Sequence, residues 1–108
     1  MVRYVSTFRL KPGYDAEETY RLWRDVHVPR TIEIKKQGLA IRKYTISRIV
    51  SAPDAQRDFF GMSDVWFDDL GSAKKYLSYF IDKPPDAFTE RITDSRRIFV
   101  LDNEEIEL

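Results

Sequence analysis

Apolar and polar positions alternate from Val2 to Leu10, a stretch rich in β-branched and aromatic residues, and Lys11-Pro12-Gly13 follows as a turn. That predicts a first strand. Asp15 with Glu18 has capping-box spacing, and Tyr20, Trp23, Val26 and Ile34 keep helical phase until Lys35, Lys36 and Gly38 end it. Pro29 falls inside this helix, where it lacks an N–H and disfavours helical geometry at Val28, so a kink or break is expected there. Leu39–Val50, with Ile41, Tyr44, Ile46 and Ile49, reads as a second strand closed by Ser51-Ala52-Pro53-Asp54, and Phe59–Phe67 as a third. Asp68 and Asp69 cap a second helix carrying Leu70, Ala73, Tyr76, Leu77 and Phe80, stopped by Pro84-Pro85. A short helical turn over Ala87–Ile92, a last strand over Arg97–Leu101 and an extended acidic arm over Asn103–Leu108 complete the chain.

The order strand, helix, strand, strand, helix, strand is the ferredoxin-like βαββαβ arrangement: an α+β domain with a four-stranded antiparallel sheet, here a single domain over residues 1–108. Two helices cover one sheet face. In phase along the third strand, Phe60, Met62 and Trp66 point one way and Phe59, Val65 and Phe67 the other, while Tyr4 and Phe8 oppose Val5, and Ile98 and Val100 oppose Phe99 and Leu101. Both faces then read as apolar, and the helix-free one needs a cover. With no spare helix, the expected cover is a second copy, giving a homodimer, or a higher oligomer built from it, whose facing sheets pack tightly or enclose a ligand cavity.

Composition narrows the partners. Lys plus Arg number 18 and Asp plus Glu 18, so no long-range field draws the chain to nucleic acid or to an anionic membrane. The RNA-recognition fold shares this element order, yet Arg57-Asp58-Phe59-Phe60-Gly61 does not keep the spacing of its consensus, and a dimer would bury the face it needs for bases. Cysteine is absent, which removes thiolate catalysis and fits a reducing cytoplasm. No apolar run approaches the roughly 20 residues that span a bilayer, and Met1-Val2-Arg3-Tyr4 enters a strand without the apolar core of a signal peptide. A cytoplasmic protein is expected.

The candidate chemistry centres on His27, the only histidine, four residues after Trp23. Histidine is the side-chain type that both takes and gives protons near neutrality, so general acid–base work suits it, with Trp23 one turn earlier walling a flat substrate. The alternative is a structural His27 that caps carbonyls freed by Pro29. Asp64, in phase with Met62 and Trp66, is a carboxylate among apolar neighbours and needs a partner: His27, which it would orient, or Arg42 or Arg48 across the strands. Tyr44 and Trp66 are candidate lining for an aromatic cavity, and Arg42 offers a planar fork to a ligand carboxylate or phenolate; each has a plain core or surface alternative.

The set Trp23, His27 and Pro29, Tyr44 and the run Gly61-Met62-Ser63-Asp64-Val65-Trp66-Phe67-Asp68, with less weight on the Lys11-Pro12-Gly13 turn and more weakly Asp94, Arg97, Phe99-Val100 and Glu104-Glu105, together resemble the EthD family of dimeric α+β barrels. The resemblance covers nearly the whole chain in short motifs. It implies a ferredoxin-like homodimer with a small apolar pocket, between each sheet and its helices or inside the barrel. The wider group includes cofactor-free polyketide cyclases, lactone isomerases, quinone-forming monooxygenases and some haem-binding enzymes, several of which transfer protons through a histidine at the helix position held here by His27. The expected function is therefore proton transfer by His27 on a small apolar carbonyl, lactone or polyketide-like substrate, without cofactor or metal. Trp23, Arg42, Tyr44, Asp64 and Trp66 are the expected ligand contacts. The alternatives are a non-catalytic dimer that binds a small apolar or aromatic ligand, and a haem protein with His27 as axial ligand. A second histidine or a cysteine used by some of those relatives has no counterpart in this chain.

Overall fold

A computed structural model describes residues 1–54, 59–81, 83–92 and 97–108. Arg57, Asp58 and Asp94, singled out above, lie outside the described residues. The elements are β1 (Val2–Arg9), α1 (Ala16–Leu22), a π-helical turn (Trp23–His27), α2 (Val28–Lys36), β2 (Lys43–Arg48), β3 (Phe59–Phe67), α3 (Leu70–Ile81), a 3-10 turn (Thr89–Arg91) and β4 (Arg97–Asp102). The sheet is antiparallel in the order β2-β3-β1-β4, the ferredoxin-like topology.

Local chemistry explains the boundaries. Asp15 accepts the Glu18 amide at 2.8 Å and caps α1. Asp69 does the same for α3 through the Ser72 amide at 2.7 Å, whereas Asp68 is drawn off to Arg42. Gly38 closes α2 at φ 107°, a left-handed conformation that favours glycine.

Pro29 does not break the helix, as its position suggests it should. It lies in the first turn of α2, where a missing N–H costs little, and the preceding turn widens so that the Val28 amide bonds the Trp23 carbonyl. The consequence is a change of phase. Thr19, Trp23, His27 and Thr31 are all buried, a strict four-residue repeat. In an uninterrupted α-helix each such step drifts by about 40°, because four residues exceed one turn of 3.6. The wider π turn takes up the extra residue and keeps Trp23 and His27 on the inner face.

Between helices and sheet are two apolar clusters. One gathers Tyr4, Ile34, Leu39, Ile41, Val65, Phe67, Ala73 and Tyr76, with Thr31 Oγ1 and Tyr76 Oη hydrogen-bonded at 2.9 Å inside it. The other gathers Phe8, Trp23, Phe60, Phe88 and Ile92. A register shift between Phe8 and Arg9 puts Phe59 opposite Arg9 while Phe60 joins the helix-side cluster. This bulge exchanges Phe59 and Phe60 relative to the alternation read from sequence. The helix-free face also departs from the uniform apolar surface expected: Val5, Met62, Trp66, Phe99 and Leu101 share it with Arg3, Lys43, Asp64 and Arg97. Edge strand β4 is open on both faces, with Ile98, Phe99, Val100 and Leu101 all 37–51% exposed.

Gly61 is where sheet and helix approach most closely. A Cβ there would stand 2.6 Å from the Ser47 carbonyl oxygen and 2.8 Å from Trp23 Cζ3. Because a backbone atom and a fully buried indole form the walls, Gly61→Ala is expected to destabilise the fold by about 1–3 kcal/mol. Denaturant titration of the two proteins measures it, and an unchanged midpoint would contradict the packing described.

Candidate functional site

His27 is 8% exposed and carries the strongest polar constellation on the helix side. Its Nδ1 lies 2.7 Å from Asp86 Oδ2, and Arg30 Nη1 donates to the same oxygen at 2.9 Å. Asp86 Oδ1 accepts the Thr89 amide at 2.7 Å and the Thr89 hydroxyl at 2.8 Å. Burial opposes ionisation of Asp86, yet the hydrogen bonds from His27, the Thr89 amide and Arg30 outweigh it and hold the carboxyl far below the usual carboxylate range. An ionised carboxylate only accepts, so Nδ1 carries a proton and, in the neutral ring, the lone pair lies on Nε2. Nε2 makes no hydrogen bond to the described residues.

Aromatic rings shape the surroundings. The imidazole stacks on Phe80 with centroids 6.3 Å apart and tilts against Phe88 at 5.1 Å. Phe88 in turn stacks on Trp23 at 5.3 Å, nearly parallel at 7°. Arg30 lies over Phe80, and both border a cavity of about 260 Å³ whose charged rim adds Glu33 and Lys83. This cavity adjoins the His27–Asp86 pair through Arg30 and Phe80. Neither His27 nor Asp86 lines this cavity; Arg30, bonded to Asp86, and Phe80, stacked on the imidazole, stand between it and the pair.

The residues expected to share one site are separated into three places. Trp23 is fully buried among Phe8, Phe60 and Phe88, so it supports the His27 cluster from below and is not exposed as a substrate wall. Arg42 and Tyr44 border a second cavity of about 280 Å³ with Thr31, Lys35 and Ile41, but the guanidinium is held by Asp68 at 2.9 Å. Asp64 and Trp66 point to the helix-free face. There Asp64 meets Arg3 at 3.4 Å, not His27, Arg42 or Arg48; the sheet lies between it and His27, its neighbour on β2 is Thr45, and Arg42 and Arg48 are bonded to Asp68 and Glu17. Burial raises the Asp64 pKa against the pull of Arg3 and Lys43. His27 also does not cap freed carbonyls, since its side chain makes no such bond and goes to Asp86.

Asp86, Arg30 and Phe80 were not anticipated as site residues. The signal for Asp86 was its three-residue spacing to Thr89 ahead of a helical turn, a side-chain cap that fixes where the carboxylate lies. Arg30 and Phe80 had none beyond being three residues from His27 and on the inner stripe of α3. Among the described residues, no three His, Asp or Glu side chains converge as a metal site would require, and no helix is long and apolar enough to cross a membrane.

No protein-family profile and no curated protein matches the sequence. Solved structures do match. The Arabidopsis thaliana protein At3g17210 superposes with a TM-score of 0.67 at 12% identity, covering 100% of both chains. An ethyl tert-butyl ether d (EthD) family protein from Bacillus halodurans gives 0.60 at 15% identity, over 96% of this chain and 100% of that one. A dimeric protein of ferredoxin-like fold from Bacteroides fragilis, its function unknown, gives 0.60 at 16% identity over 94% and 95%. At these identities the likeness shows the fold.

Two carboxylates make opposite predictions. Asp86 is depressed in the folded state, so its contribution to stability is fully present above the unfolded value near ~3.9 and is lost as pH falls below it. Asp86→Asn is expected to cost about 2 kcal/mol at pH 7, with the gap to the parent closing below pH ~4. Asp64 is raised, so its ionised form opposes folding at neutral pH, and Asp64→Asn is expected to keep or raise the melting temperature at pH 7. Thermal melts across pH check both signs.

Proposed function

We propose that this chain is a cofactor-independent enzyme of the isomerase, cyclase or monooxygenase type, in which His27 moves a proton on a small carbonyl, lactone or polyketide-like substrate. The observation that carries it is the His27–Asp86 hydrogen bond at 2.7 Å, with Asp86 satisfied by three further donors. In that geometry the carboxylate fixes one tautomer, stabilises the imidazolium once Nε2 has taken a proton, and leaves Nε2 as the only reacting atom. Arg30, over Phe80 at the rim of the adjoining cavity, is suited to an enolate or carboxylate oxygen of the substrate. The likeness to the EthD family protein is consistent with this reading and limited to fold. We place the functional unit in a homodimer closed over the helix-free face; the open apolar edge of β4 supports it, and the Bacteroides fragilis protein of similar fold is dimeric.

A second reading is favoured by the burial of the pair, each side chain about 10% exposed: His27 and Asp86 latch α2 to the segment after α3 in a protein that binds a ligand without transforming it. The discriminating experiment follows deuterium incorporation next to the carbonyl in a panel of small lactones and 1,3-diketones in D2O by proton NMR. His27→Gln is expected to lower the exchange rate by about 10²-fold or more and Asp86→Asn by about 10-fold or more. Equal rates for the parent and His27→Gln would sink the catalytic reading and leave the latch.

A further inference from the structure

Proton transfer leaves two features unused, the charged helix-free face and the acidic arm. Strand register sets the face out in rows: Lys43, Trp66, Arg3 and Leu101 in the first, then Thr45, Asp64, Val5 and Phe99, then Ser47, Met62, Thr7 and Arg97. Arg3 and Lys43 both lie over the Trp66 ring, at 5.7 and 4.9 Å from its centroid. In these rows, and so among the described residues, the three cations Arg3, Lys43 and Arg97 accompany the single carboxylate of Asp64, with apolar and hydroxyl side chains between them. Two such faces brought together would confine like charges at an interface, which is costly unless counter-charge is supplied with them.

The chain carries that counter-charge itself. The Asn103 amide donates to the Met1 carbonyl at 3.3 Å, beside the Arg3–Leu101 row, so every residue after it has run off the end of its own sheet. Residues 103–108 are all exposed, and among the described residues their side chains make no hydrogen bond or ion pair. Glu104, Glu105 and Glu107 are acidic, while Ile106, 66% exposed, and Leu108 are apolar. Extended, six residues span roughly 20 Å, about the width of a four-stranded sheet at ~4.8 Å per strand.

We propose that the acidic arm Asn103–Leu108 of each copy lies across the Lys43–Trp66–Arg3 row of a second copy. Its glutamates meet Lys43 and Arg3, and Ile106 covers Trp66 and Leu101. The exchange is reciprocal in a two-fold dimer, so each arm neutralises the excess positive charge of the face it covers. This rests on the homodimer placed under the proposed function and says what holds it together.

The test is sedimentation of three proteins at 50 and 500 mM NaCl: the full chain, a chain ending at Asp102, and the Lys43→Glu variant, with circular dichroism to verify folding. Both changes avoid the His27 cluster and the core. The expected result is a dimer of the full chain whose dissociation constant rises with salt, and a rise of at least about tenfold at 50 mM for each variant, with the salt dependence largely gone. A full chain that is monomeric at both salts overturns the homodimer and the clasp with it. A dimer that survives both changes with unaltered dissociation and salt dependence overturns the clasp alone and leaves the facing sheets.

Discussion

A single carboxylate organises the helix side of this molecule. Asp86 accepts from His27 and Arg30 on one oxygen and from the amide and hydroxyl of Thr89 on the other, tying the π turn and α2 to the segment that follows α3. Those bonds orient the imidazole. They also start the 3-10 turn that carries Phe88 and Ile92 into the cluster around Trp23. Without the carboxylate, the His27 N–H and the Arg30 guanidinium would lose their common acceptor in a half-buried setting and the turn would lose its cap. Ring orientation and core packing thus depend on the same four hydrogen bonds.

The π turn is the backbone counterpart of that constraint. Trp23 has to lie flat against Gly61 and Phe88, and His27, four residues later, has to reach Asp86. An ideal α-helix cannot hold a four-residue repeat on one face for long. The extra residue in the turn, placed where Pro29 would in any case withdraw a donor, reconciles the two demands. Proline here works as a licence for the wide turn, not as a break.

Much of the fold was legible because periodicity reports burial directly. The six elements, the Asp15 and Asp69 caps and the topology all follow from local pattern and turn chemistry. The candidate site was legible only at His27. Its partner lies 59 positions away in a segment without periodicity, and which carboxylate a histidine meets depends on three-dimensional packing that alternation does not encode. Asp64 drew attention for a sound reason, a charge in an apolar strand, but strand parity sends it to the opposite face of the sheet from His27. The bulge at Phe59 and Phe60 shows the same limit, since one inserted residue reverses parity over its neighbours.

The contrast between Asp64 and Asp86 divides the two faces by role. Asp64 is buried and Asp86 half-buried, yet four donors keep Asp86 ionised, while Asp64, facing Arg3 at 3.4 Å without a hydrogen bond to Oδ1, is pushed the other way by burial. A carboxylate locked in its charged form is poorly suited to exchange protons and well suited to orient a neighbour, and under the proposed function that neighbour is His27. Asp64 sits instead among cations and apolar side chains on the face left open by the helices. There its charge partly offsets Arg3 and Lys43. The proposed chemistry and the proposed association would therefore use opposite sides of one sheet, whose two polar networks share no residue.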